Sequence, residues 1–280
     1  MTVLEEPLRI KGNGLEPDWS HVRGFGWRPQ LPDARDFLYA PRLDRRLPAE
    51  CDLRPAMPPV YDQGQLGSCT GNAIAAAMEY ERDQQQLPDF IPSRLFIYYN
   101  ERFLEGTVSS DSGAVIRDGI KVVNSEGACP ESLWPYDIGM FTVKPPKRCY
   151  VAARTDRAVR YEAIQTLGDL KDAIASKLAV VFGFTVYESF ESQAVAEKGV
   201  MPMPKPHEAT VGGHAVVAVG YSDSKKHVIV RNSWGASWGD HGYFYMPYQY
   251  LTGSQLSSNT SRVNGGHLAS DFWAIQLISG

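Results

Sequence analysis

The chain has 280 residues and a mass of 31.1 kDa, and its 43% hydrophobic content is enough to bury a substantial core in one large domain or two closely packed ones. Lys and Arg number 28 against 32 Asp and Glu, a formal net charge of -4 with a pI near 5.9, so no strongly basic face is expected to neutralise phosphates and nucleic acid is excluded as an expected partner. No stretch is long and apolar enough to span a bilayer, and the opening MTVLEEPLRIKGNGLEP lacks the basic start, apolar run and small-residue cleavage site of a Sec-type signal. The compartment stays open between the cytoplasm and export by a route the sequence does not display. The four cysteines, Cys51, Cys69, Cys129 and Cys149, are too few and too scattered for a disulfide framework, although a bridge between Cys129 and Cys149 stays open. No two cysteines or histidines show close ligand spacing, so no metal is expected.

In chain order, residues 1–46 form an extension rich in Pro, Arg and Asp, whose Phe25, Trp27, Leu31, Phe37, Leu38 and Tyr39 carry enough apolar surface to pack on the rest of the protein. The prolines between Leu47 and Val60 predict an extended strap. The alanine-rich run CTGNAIAAAMEYERDQQQ predicts a helix with Cys69 at its N-terminal end, and Ser93 to Phe103 and Ala114 to Ser125 also read as helices. The period then changes. Leu178 to Phe184, His214 to Tyr221, His227 to Arg231, Tyr243 to Met246 and Phe272 to Ile278 are short, apolar and rich in β-formers. A helical first half (residues 47–155) followed by a strand-rich second half (residues 156–280) predicts an α+β protein with an antiparallel sheet or barrel in its C-terminal part.

Three segments carry candidate chemistry. A thiol becomes a strong nucleophile as thiolate, which a helix N-terminus and a nearby imidazolium both favour; Cys69 has the first feature, though a cysteine there can equally be a small buried hydrophobe. His214 opens the strand HAVVAVGY, and after the turn SDSKK the strand HVIVR leads to Asn232. The midpoint of 214 and 232 falls at 223, inside the turn, so the two are expected to face each other across a hairpin to within about one residue. An asparagine carbonyl there would fix the tautomer of His214, and an ordinary strand-end histidine is the plain alternative. Gln63, in DQGQLGSC, can bring a side-chain NH₂ beside the thiol as one of two oxyanion donors, or be a surface turn residue. Trp234 can cover the His214 to Asn232 bond, or simply be a structural tryptophan.

Taken together, QGQLGSC, GGHAVVAVGY and RNSWGASWGDHGYF resemble, in order, the three active-site blocks of the papain family of cysteine peptidases. The resemblance runs from LPAECDLR, which is similar to the family's mature N-terminus, to DFWAIQL, and the run GWRPQLPDARDFLYA is similar to the short-prosegment bacterial branch typified by xylellain. It implies a papain-like fold: a left helical domain presenting Cys69, and a right β-barrel-like domain presenting His214 and Asn232 across a cleft. It also carries over Gln63 as oxyanion donor and Trp234 as indole shield. Leu66, Thr70 and the Ser110 to Gly113 run depart from the plant and animal pattern of disulfides and glycine loop.

The implied reaction is hydrolysis of peptide or protein substrates, needing no cofactor, through a thioester on Cys69. Gly113, Ala114, Val115, Gly183 and Gly213 are expected near the substrate. The absence of charge among the expected wall residues predicts an apolar side chain two residues before the scissile bond. Other Cys-His acyl transfer, by a transglutaminase or amidase, and an inactive peptide-binding homologue are the rivals. Residues 1–46 are expected to pack on the enzyme body of a monomer, as a gate over the cleft or as a permanent structural arm.

Overall fold

The computed structural model describes residues 8–11, 14–17, 24–31, 33–42, 46–88, 90–154, 158–252 and 268–277. Strands β1 (Leu8–Lys11) and β2 (Gly14–Pro17) form an antiparallel hairpin in the N-terminal extension. Residues 24–42 then follow as an arm, and the proline-rich strap contains the short strand β3 (Glu50–Asp52).

Four helices come next: α1 (Cys69–Gln84), α2 (Arg94–Leu104), α3 (Ile116–Ser125) and α4 (Lys147–Ala153). The second half continues with β4 (Ala158–Ala163), α5 (Leu167–Ala175), β5 (Val180–Tyr187), α6 (Gln193–Lys198), β6 (Thr210–Ser222) and β7 (His227–Arg231). It ends with β8 (Tyr243–Pro247), α7 (Tyr248–Thr252) and β9 (Ala269–Leu277).

The large sheet is antiparallel, in the order β4-β9-β5-β6-β7-β8, with β3 paired to the end of β6 that β5 leaves free. Helix α1 is the wedge between this sheet and the other helices, packing on β6 and β9 on one side and on α2 and α3 on the other. Every residue from Cys69 to Arg82 is buried. A helix with no solvent face cannot be amphipathic. Its run of Ala73, Ala75, Ala76 and Ala77 instead combines high helix propensity with the small cross-section that lets neighbours close in on all sides. Helix α2 begins where the Ser93 hydroxyl accepts from the Phe96 N–H, an N-cap, and α5 begins with a reciprocal capping box between Thr166 and Asp169.

The α+β reading of the sequence holds, with corrections in detail. The helix expected from Ala114 starts two residues later, because Ala114 is held extended by pairing with Trp27 of the arm. Leu31, Phe37 and Leu38 do not pack inward as expected; they are 84%, 68% and 59% exposed. The arm docks there mainly by backbone: Ala163 donates to Phe37 O and Tyr39 N–H donates to Ala163 O, which covers the outer edge of β4. The hairpin register also differs. Ser222 faces His227, which centres the turn beyond residue 223, so even past the irregularity between Ala218 and Gly220 Arg231 lies opposite Val217 and Asn232 about two residues from the position facing His214.

In the sheet core, Phe182 is fully buried and stacks on Phe272 with ring centroids 4.8 Å apart. Phe182→Ala removes a large apolar side chain from a packed site and is expected to destabilise the fold by about 3–5 kcal/mol, measured as a shift in the midpoint of urea unfolding.

Candidate active site

Cys69 is the first residue of α1 and has no solvent exposure. The amides of a helix's first turn are unpaired donors, so this end of α1 favours a negative charge. Hydrogen bonds from the backbone N–H groups of Ala215, Gly26 and Thr70 point the same way, yet burial outweighs them and pushes the thiol up to about 12. Ala215 adjoins His214, so this contact brings the sulfur to the His214 end of β6.

His214 gives its Nε2–H to Asn232 Oδ1 at 2.8 Å. The same oxygen accepts from Ser233 N–H at 2.8 Å, which fixes the amide's orientation and with it the imidazole tautomer. Nδ1 is left with a lone pair and no hydrogen-bond partner. The ring is enclosed by aromatic surfaces: Trp234 stacks on it at 4.9 Å and 27°, and Phe184 and Phe25 approach edge-on at 5.8 and 6.0 Å. Burial depresses its pKa to about 4, with the Asn232 bond acting in the opposite direction.

Gln63 is held from three directions. Its N–H donates to Ser233 O at 2.9 Å, its carbonyl accepts from Tyr136 Oη at 2.9 Å, and its side-chain Oε1 accepts from Ser233 Oγ at 2.6 Å. Only Nε2 is then available to the cleft. It donates to Leu66 O at 2.9 Å and to Gly24 O, a carbonyl of the arm, at 2.7 Å.

Residues 24–28 lie in the cleft as a strand. Trp27 N–H donates to Gly213 O, Arg28 N–H donates to Ala114 O, and Ala114 N–H donates to Gly26 O, at 2.9, 3.1 and 2.7 Å. Strand alternation puts Gly24 and Gly26 against one wall and Phe25 and Trp27 against the other. A Cβ on Gly26 would lie 1.7 Å from Gly67 O, and one on Gly24 would lie 2.2 Å from Leu66 O, so only glycine permits this approach. On the opposite wall Gly183 and Gly213 make room for the Trp27 indole, and an ion pair between Arg28 and Glu105 ties down the end of the segment.

The structure therefore brings Cys69, His214, Asn232, Gln63 and Trp234 together, and sets Gly113, Ala114, Gly183 and Gly213 against the arm. Val115 instead precedes α3 and gives its N–H to Glu105. Two residues escape a reading of motifs: Ser233, which orients both Gln63 and Asn232, and Asp271 on β9, which accepts from Trp27 Nε1 at 3.0 Å. The alternation Gly-Phe-Gly-Trp at 24–27 was the available sign that the arm enters a narrow cleft.

The sequence pattern described as papain family cysteine protease matches residues 47–262. The fold is similar to that of xylellain, a cysteine protease from Xylella fastidiosa, with a TM-score of 0.81 and 41% identity over 92% of this chain and 97% of that one. An uncharacterised peptidase C1-like protein of Acanthamoeba polyphaga mimivirus is 41% identical over 285 residues, which is 92% of this chain and 88% of that protein. Digestive procathepsin L 3 of the Tenebrio molitor larval midgut shares the fold, at a TM-score of 0.66 and 19% identity. This chain belongs to the papain family of cysteine proteases and is a hydrolase of the papain-like class.

With the arm in place, a thiol raised to about 12 and an imidazole depressed to about 4 leave both groups neutral between these values. Alkylation of Cys69 by iodoacetamide in the full-length chain is therefore expected to stay slow from about pH 5 to pH 9, without the acid-side plateau of a preformed thiolate. Intact mass after timed exposure gives the rates.

Proposed function

We propose that the chain is an endopeptidase acting through a thioester on Cys69, and that residues 24–28 hold it closed until they are displaced. In this reading His214 Nδ1 takes the thiol proton and the sulfur attacks the substrate carbonyl carbon. Gln63 Nε2 and the Cys69 N–H receive the developing oxyanion. The C–N bond then breaks as the imidazolium gives its proton to the leaving amine, and water hydrolyses the thioester with the same imidazole as base. Asn232 positions the ring throughout, and Trp234 shields that bond from water. All the groups invoked belong to one chain, which supports action as a monomer.

The observation that carries the reading is the bond from Gln63 Nε2 to the Gly24 carbonyl: a peptide oxygen of the arm occupies the donor that a substrate carbonyl would need. The Gly26 N–H of the arm also hydrogen-bonds toward the Cys69 sulfur, so the arm engages both the thiol and the Gln63 donor. The anchored stretch at residues 37–42, with Tyr39 Oη and Arg42 N–H both donating to Asp172, supports a gate hinged on a fixed base.

Cys69→Ala is expected to abolish cleavage of a peptide blocked at both ends while leaving circular dichroism unchanged; more than trace turnover in that variant would remove Cys69 from the role. The double substitution Phe25→Ala and Trp27→Ala in the full-length chain deletes the aromatic contacts of the gate, and is expected to raise kcat/KM by roughly tenfold or more. Unchanged kinetics with a lowered melting temperature would identify the segment as a structural arm.

A further inference from the structure

Arg94 opens α2, the end of a helix where a positive charge is least favoured, and it is buried there. Glu131 supplies the counter-charge, accepting from Nε at 2.8 Å and from Nη2 at 2.7 Å. That pair leaves Nη1 free to turn toward α1 and the loop before it, where it donates to Asp62 O at 3.1 Å and to Asn72 Oδ1 at 3.2 Å. Asn72 in turn gives its Nδ2 protons to Ser68 O and Ser68 Oγ, both at 3.0 Å. Two aromatic rings lie against the guanidinium, with the centre of Tyr136 4.0 Å and that of Tyr61 4.7 Å from its central carbon.

We propose that Arg94 is a positioning residue that sets the spacing of the two oxyanion donors. It holds the residue before each of them: Asp62, before Gln63, directly, and Ser68, before Cys69, through Asn72. The proposal rests on the reading of Gln63 Nε2 and the Cys69 N–H as those donors. Tyr136, whose ring lies on the guanidinium, closes the circuit. Its one proton goes to Gln63 O at 2.9 Å, so its oxygen accepts from Ser68 Oγ at 2.5 Å. Both ends of the loop 62–68 are thus referred to one side chain on α2.

A buried ion pair is a weak device for stability alone, since well-packed apolar residues of similar volume often serve as well. Apolar residues cannot hold a carbonyl of one segment and an amide oxygen of another at a fixed separation. The guanidinium can, because it is planar and rigid, and four of its five N–H groups meet partners here at spacings set by covalent geometry. A lysine ammonium on its flexible stem keeps the charge and loses the fork. The oxyanion exists only after attack, so an error in donor spacing lowers the rate and leaves substrate binding alone.

The test uses the full-length chain carrying Phe25→Ala and Trp27→Ala as parent, with Arg94→Lys added. On a fluorogenic peptide, Arg94→Lys is expected to lower kcat by about tenfold or more and to leave KM within about twofold. Iodoacetamide reacts with Cys69 at a saturated carbon and builds no oxyanion, so the alkylation rate is expected to stay within about twofold of the parent. Tyr136→Phe keeps the ring and removes only the hydroxyl; it is expected to show the same split at about threefold or more in kcat, and it decides the question if Arg94→Lys does not fold. An unchanged kcat, or a fall in kcat matched by an equal fall in alkylation, overturns the proposal. A peptide aldehyde gives a reading without turnover: the sulfur adds to its carbonyl carbon, the thiol proton ends on the carbonyl oxygen, and that oxygen lies between the two donors. Arg94→Lys is expected to weaken its binding by about tenfold; equal affinity overturns the proposal. If the parent cuts no peptide, the peptidase reading fails and the aldehyde affinities alone decide the role of Arg94.

Discussion

A backbone laid against backbone sets the character of the cleft. Gly24 and Gly26 press on the carbonyls of Leu66 and Gly67 at separations no side chain would survive, and strand alternation then sends Phe25 and Trp27 to the opposite wall. Phe25 meets His214 edge-on, and both His214 and Cys69 are without solvent exposure. With the arm in place both groups are buried, and burial favours the neutral thiol and the neutral imidazole.

The site also depends on the seam between the helical half and the sheet. Gln63 belongs to the loop that leads into α1, and Asn232 to the residues that follow β7. Ser233 ties them by accepting the Gln63 N–H at its carbonyl, bonding Gln63 Oε1 with its hydroxyl and capping Asn232 Oδ1 with its N–H. The pairing of Asp62 with Trp234 closes the same seam. Relative motion of the two halves would thus disturb the imidazole tautomer and the Gln63 donor together, so the geometry is over-determined in the sense that favours electrostatic preorganisation.

How much of this was legible depended on whether the chemistry demanded a residue type in a local pattern. Cys69 at a helix start, His214 at a strand start, Asn232 after a strand and Gln63 beside a glycine turn were all readable, as were α1, α2 and the strands that follow Leu178. The hairpin arithmetic was off by about two residues because Ser222 faces His227, which centres the turn beyond residue 223, and nothing in the run SDSKK marks that centre. Ser233 was invisible because a serine after an asparagine is common. Asp271 was invisible because one polar residue in an apolar strand reads as a solvent-facing position, and only the fold shows that it ends a pocket. Composition overpromised for Leu31, Phe37 and Leu38, whose segment is held by backbone bonds to β4 that hydrophobicity does not encode.

The arm and the strap are parts of one polypeptide, and β3 of the strap is paired into the sheet. A segment tethered in this way meets its cleft at an effective concentration set by chain length, of the order of millimolar for a short linker. Its intrinsic affinity can then be modest and the cleft still filled. In the gating reading proposed above, closure is unimolecular, so dilution would leave it unchanged, whereas a substrate would have to reach a concentration that competes with the tether. A modest intrinsic affinity suits that balance: a tighter occupant at so high a local concentration would hold the cleft against substrate.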